Sequence, residues 1–169
     1  TLSGNNTYVG ATIVSNGTLL VSGSISNSAA TVKTGATLGG TGVIGGAVNV
    51  ESGGTLAPGA SLGTLTINNT LTLDPAATTS VEVNATNGLG DLVQGLTAVT
   101  YAGSLVVSNL AGPATLTNGQ TFQIFSAASP GGNFSSVGPD PGPGQKWAFA
   151  PASGLLTVEL GVSLVVTNI

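Results

Sequence analysis

Three stretches decide the fold when set in one register: Val14-Ser15-Asn16-Gly17-Thr18-Leu19-Leu20, Val32-Lys33-Thr34-Gly35-Ala36-Thr37-Leu38 and Val50-Glu51-Ser52-Gly53-Gly54-Thr55-Leu56. Each begins 18 residues after the last, without a gap, and Val, Gly and Leu recur at the same three places. A period near 20 residues in a strand-forming sequence predicts a solenoid, each coil stacked on the one before. In this register Val and Leu point inward as ladders, and the Gly makes a sharp corner that only it takes without strain. Lys33 and Glu51 are 18 apart and become stacked neighbours of opposite charge. As an exposed pair they contribute about 0–1 kcal/mol and serve register more than stability.

Outward from these repeats the sequence stays strand-like. Val48-Asn49-Val50, Leu65-Thr66-Ile67, Leu71-Thr72-Leu73, Val81-Glu82-Val83 and Leu156-Thr157-Val158-Glu159-Leu160 alternate at period two. Asn16-Gly17, Asn87-Gly88 and Asn118-Gly119 mark turns. With 27 Gly and 8 Pro scattered throughout, helix is rejected. The strict period fades after residue 75, which divides the chain into solenoid repeats over 1–75 and an irregular β region over 76–169. The second region either continues the coil or forms a separate sandwich. Residues 130–144, rich in Pro and Gly, are predicted to be a loop that no ladder crosses. Two apolar strands close the chain, near 155–160 and 162–166. Thr37 and Thr55 stack at the repeat, but the array lapses too soon for a flat ice-binding face.

Charged residues make up 5% of the chain, against about 25% in ordinary domains. With two cations, Lys33 and Lys146, and a net charge of −4, the chain cannot neutralise phosphates, so nucleic-acid binding is not expected. No apolar run approaches the ~18 residues of a membrane helix, so membrane insertion is not expected either. Low charge keeps copies apart poorly and suits a protein that assembles. The absence of Met, the start residue included, reads as a processed or excised segment.

Chemistry is scarce. Without His or Cys, nucleophilic catalysis with a His base and thiol chemistry are excluded, and no cofactor or metal is expected. Six acids are spread widely, with no cleft-like pair for glycoside hydrolysis. Asp91 and Asp140 lie beside Gly-rich turns without the dense spacing of a calcium loop, and read as turn residues. All four Phe (Phe122, Phe125, Phe134, Phe149) and Trp147 fall within 122–149. The favoured reading is a plug over the open end of the solenoid. The alternative is a platform on which extracellular glycans stack.

Gly4-Asn5-Asn6-Thr7-Tyr8-Val9-Gly10, Gly35-Ala36-Thr37-Leu38-Gly39-Gly40-Thr41-Gly42 and Gly53-Gly54-Thr55-Leu56-Ala57-Pro58-Gly59 resemble the autotransporter-associated β-strand repeat, also called the passenger-associated transport repeat. Asp91-Leu92-Val93, Gly119-Gln120-Thr121-Phe122, Phe134-Ser135-Ser136-Val137 and Trp147 are similar to what often follows such repeats. The resemblance implies a right-handed parallel β-helix in a bacterial secreted or surface protein. The family usually carries many more repeats and an anchoring domain.

These observations predict an all-β, non-enzymatic, extracellular structural protein whose partner is itself, in a head-to-tail homopolymer. The assembly residues are Leu2 at one end and the uncharged strand Leu164, Val165, Val166 and Ile169 at the other. A stalk within an adhesin or passenger is the alternative, and a carbohydrate-binding module a lesser one.

Overall fold

The computed structural model describes residues 1–111 and 116–161. Among them there is no helix, and the chain winds through six turns of three strands. The first turn holds β1 (Asn5–Asn6), β2 (Thr12–Val14) and β3 (Gly17–Leu20), and the second β4 (Ser24–Ile25), β5 (Ala30–Val32) and β6 (Ala36–Gly40). The third holds β7 (Val43–Ile44), β8 (Val48–Val50) and β9 (Thr55–Pro58), and the fourth β10 (Thr64–Ile67), β11 (Thr70–Leu73) and β12 (Thr78–Asn84), which pairs antiparallel with the short β13 (Leu89–Gly90). The fifth holds β14 (Leu92–Leu96), β15 (Ala98–Tyr101) and β16 (Ser104–Asn109). After β17 (Thr121–Gln123) come β18 (Phe125–Ala127), β19 (Pro130–Gly132) and β20 (Ser136–Gly138), the sixth turn, and then β21 (Gln145–Ala150) and β22 (Leu155–Leu160). Stacking turn on turn gives three parallel sheets, β1-β4-β7-β10-β14-β18, β2-β5-β8-β11-β15-β19 and β3-β6-β9-β12-β16-β20. This is a parallel β-helix, and its ladders cross residue 75 without a break.

The core is what the repeat implies. Val14, Val32, Val50 and Leu73 form one inward ladder, and Ile25, Ile44 and Ile67 another. All seven side chains are buried. Gly17, Gly35 and Gly53 hold φ of 69°, 77° and 80° at the corner between second- and third-sheet strands, the left-handed conformation the repeat demands. Lys33 Nζ meets Glu51 Oε1 at 2.5 Å with both side chains part-exposed, as the register requires.

The register departs from the sequence alignment in one place. Leu19, not Leu20, stacks on Leu38, and Leu20 lies opposite Gly39. The first corner is one residue shorter than the second, so the offset is 18 from Val14 to Val32 but 19 from Leu19 to Leu38. The later turns lengthen: Val50 pairs with Leu73, 23 residues on, Leu71 with Val99, 28 on, and Leu105 with Val137, 32 on. The strands keep their places while the connections grow, which is why the period fades from the sequence but not from the sheets.

Two expectations are corrected. The ladder does run into 130–144, because Pro130–Gly132 pairs with β15 and Ser136–Gly138 with β16. Pro130 is tolerated because β19 is the outermost strand of its sheet, where a missing N–H breaks no ladder. The hydroxyl column does not lapse: Thr18, Thr37, Thr55, Thr78, Ser104 and Ser136 occupy six successive outward rungs of the third sheet. The second predicted closing strand, 162–166, lies outside the described residues.

One rung of the inward ladder Leu19, Leu38, Leu56, Thr79, Leu105, Val137 is polar. The Thr79 hydroxyl is buried with no hydrogen-bond partner among the described residues. Thr79→Val keeps the shape and removes that unpaired group. It is expected to raise stability by about 1–2 kcal/mol in urea unfolding followed by circular dichroism. Destabilisation would show that the hydroxyl is satisfied.

Candidate functional site

Function in a solenoid is sought at its ends and where its connections lengthen. In the later turns the connections lengthen at one corner, leading from a third-sheet strand into the next first-sheet strand: β9 to β10, β12 to β14 and β16 to β18. The first two border a shallow groove of ≈ 190 Å³ on the outer face of the third sheet, lined by Thr18, Thr37, Pro58, Ser61, Glu82 and Asp91 among others.

Asp91 is the group that sequence reasoning misplaced. Instead of capping a local turn, it is buried, 1% exposed, and clamped at this corner by distant backbone groups. Its Oδ1 accepts from Gly63 N–H at 2.9 Å and its Oδ2 from Glu82 N–H at 2.8 Å, tying the 59–63 connection to β12. The two lysines are paired elsewhere, Lys33 with Glu51 and Lys146 with Glu159. Burial raises the Asp91 carboxyl to about 6 from 3.8, outweighing the two N–H bonds that pull it down, and the Glu82 charge adds to the rise. A folded value above the unfolded one means the group favours the folded state when protonated. That contribution is full below 3.8 and is lost as pH rises through about 6. Unfolding in urea is expected to show a loss of order 2–3 kcal/mol across that window, and Asp91→Asn to flatten the slope. An unchanged slope in the variant would exclude Asp91 as its source. Among the described residues no group of three His, Cys, Asp or Glu is placed to hold a metal.

The two ends of the solenoid are unlike. At the sixth turn, β17, β22 and β21 form an antiparallel sheet, and the aromatics gather beneath it. Phe122, Phe125, Phe134 and Trp147 are buried and Phe149 is half-buried. Tyr101, which the sequence grouping left out, is the hub: its ring centroid lies 5.1 Å from Phe125, 5.4 Å from Phe134 and 4.9 Å from Phe149. Trp147 packs edge-on against Phe122 and its indole N–H donates to Pro139 O at 3.0 Å. Burial pushes the Tyr101 hydroxyl up to about 12. Gln120 and Gln145 pin this region through backbone carbonyls, Nε2 donating to Ala85 O and Leu116 O at 2.9 Å each. Four of the five sequence-grouped rings are thus buried, and the fifth is half-buried.

At the first turn no strand among the described residues covers the outer edges of β1, β2 and β3. One of its rungs becomes polar. Asn6 stands where Ile25 and Ile44 follow, its Nδ2 donating to Gly4 O at 2.9 Å and Ser24 O at 3.0 Å. Tyr8, Thr12 and Ser28 form a hydroxyl relay, at 2.6 Å and 2.7 Å, that ends on Gly10 O at 2.7 Å. Val9 and Ile13 are exposed, at 78% and 58%. Leu2 lies on Val21, its N–H donating to Leu20 O at 2.8 Å and its carbonyl accepting from Ser22 N–H at 3.0 Å. Leu164, Val165, Val166 and Ile169 lie outside the described residues. Comparison with protein-family models and with the curated proteins finds no match.

Proposed function

We propose that the chain is a structural subunit, secreted or held at a bacterial cell surface, that joins head to tail into a filament or matrix. The observation that carries this reading is the unlikeness of the two ends, one closed by an antiparallel sheet over an aromatic cluster, the other an edge of three parallel strands that no strand among the described residues covers, flanked by exposed Val9 and Ile13. A contact between unlike surfaces does not close on itself as a dimer does, and it propagates unless rotation makes a ring. Low charge supports the reading, since 5% charged residues supply little repulsion between copies. The joint is a strand added to the bare edge by a neighbour, and the uncharged segment holding Leu164, Val165, Val166 and Ile169 supplies it.

The test is light scattering of the full chain beside a Val165→Asp, Val166→Asp variant. Growth of particle mass with concentration in the parent and its loss in the variant, at unchanged melting temperature, support strand addition. Growth in both places the joint elsewhere, while a parent monomeric at every concentration favours a stalk within a longer passenger or adhesin, whose next coils would occupy the same bare edge.

A further inference from the structure

Three Asn-Gly pairs occur, and the fold treats them differently. At Asn87-Gly88 the Gly88 N–H donates to Asn84 O at 3.0 Å, and the Asn87 amide oxygen is turned to Leu89 N–H at 3.0 Å. At Asn118-Gly119 the Gly119 N–H donates to Val158 O at 2.8 Å. In both, the glycine nitrogen is engaged by a backbone carbonyl. At Asn16-Gly17 the Gly17 N–H instead donates to Oδ1 of its own neighbour Asn16 at 2.7 Å. Both residues are exposed, and no heavy atom lies within 4 Å of a Cβ built on Gly17, so the corner is open to water and base. Asn69-Thr70 and Asn133-Phe134 share the contact at 2.9 Å, but a β-branched and an aromatic residue crowd the nitrogen there.

We infer that Asn16 is a site of spontaneous backbone modification, the one Asn-Gly pair that the folded chain holds ready for succinimide formation. The Gly17 nitrogen gives its proton to a base in solution and attacks Asn16 Cγ. A new C–N bond forms, the Cγ–Nδ2 bond breaks, and the side-chain nitrogen leaves as ammonia. Water then opens the five-membered ring at either carbonyl, giving aspartate or isoaspartate. The net change is one water consumed and one ammonia released. The hydrogen bond to Oδ1 keeps the Asn16 amide folded back beside the Gly17 nitrogen, and groups held together react faster than freely rotating ones. The product places a negative charge at the corner between β2 and β3. In the isoaspartate form it also adds a backbone carbon just before Gly17 pairs with Ala36. The inference does not depend on whether the chain assembles.

The intact protein and a urea-unfolded sample are incubated at mildly alkaline pH until the unfolded chain has converted by half, then compared by peptide mass mapping with isoaspartate detection. In the unfolded sample the three pairs should convert at similar rates. In the folded sample Asn16 should lead Asn87 and Asn118 by on the order of tenfold, and Asn16→Gln should abolish the fast conversion. Equal rates in the folded protein, a lead by Asn87 or Asn118, or protection of Asn16 by folding would each overturn the inference.

Discussion

Replacing Gly40 by alanine is expected to prevent the second turn from stacking on its neighbours. Gly40 holds φ of 108°, outside the range of other residues, and an added Cβ would lie 2.1 Å from the carbonyl oxygen of Val21. That oxygen belongs to backbone, and Gly40 is also bridged to Gly59 in both directions, N to O at 2.9 Å and 3.0 Å. Neither partner can move without lifting a ladder. The loss should exceed about 4 kcal/mol, in the range of mutations that break a backbone constraint, or abolish folding outright. Gly10→Ala is the control, since its Cβ would meet nothing within 4 Å, and it should change stability by no more than about 0.5 kcal/mol. Urea unfolding followed by circular dichroism separates the two, and equal effects would contradict the packing described.

Leu56→Ala should cost about 3–4 kcal/mol, because the side chain is wholly buried between Leu38 and Thr79 and its neighbours cannot collapse into the space. In a stacked coil the damage is local, as each turn leans on those beside it. Hydrogen exchange should therefore quicken first in β6, β9 and β12 and less in β18–β20. A loss below about 1 kcal/mol, or uniform quickening along the chain, would argue against the ladder or against local coupling.

The early turns were legible because their corners differ by a residue at most from one turn to the next. Val14, Val32 and Val50 announce their ladder, and Lys33 with Glu51 confirms it from the charged side. The Leu ladder slipped by one residue because a single extra position at the second corner leaves the Val and Gly pattern intact. Beyond residue 75 the repeat became unreadable for a geometric reason. Insertions at one corner change the sequence spacing of stacked rungs from 18 to 32 without changing which side chains meet. The six-rung hydroxyl column was hidden the same way. Asp91 was unreadable because its partners, the amides of Gly63 and Glu82, are backbone groups brought in by topology, and sequence carries no mark of them. The aromatic cluster was visible, but Tyr101 lies outside the span 122–149 and joins it through edge-on and tilted ring contacts that sequence does not mark.

The claim of head-to-tail assembly is tested most directly by negative-stain electron microscopy of the purified chain, with light scattering at several concentrations. The account predicts unbranched fibres whose axial repeat is the length of one subunit, and scattering mass that rises with concentration. Monodisperse single subunits at every concentration, with no fibres on the grid, would contradict it.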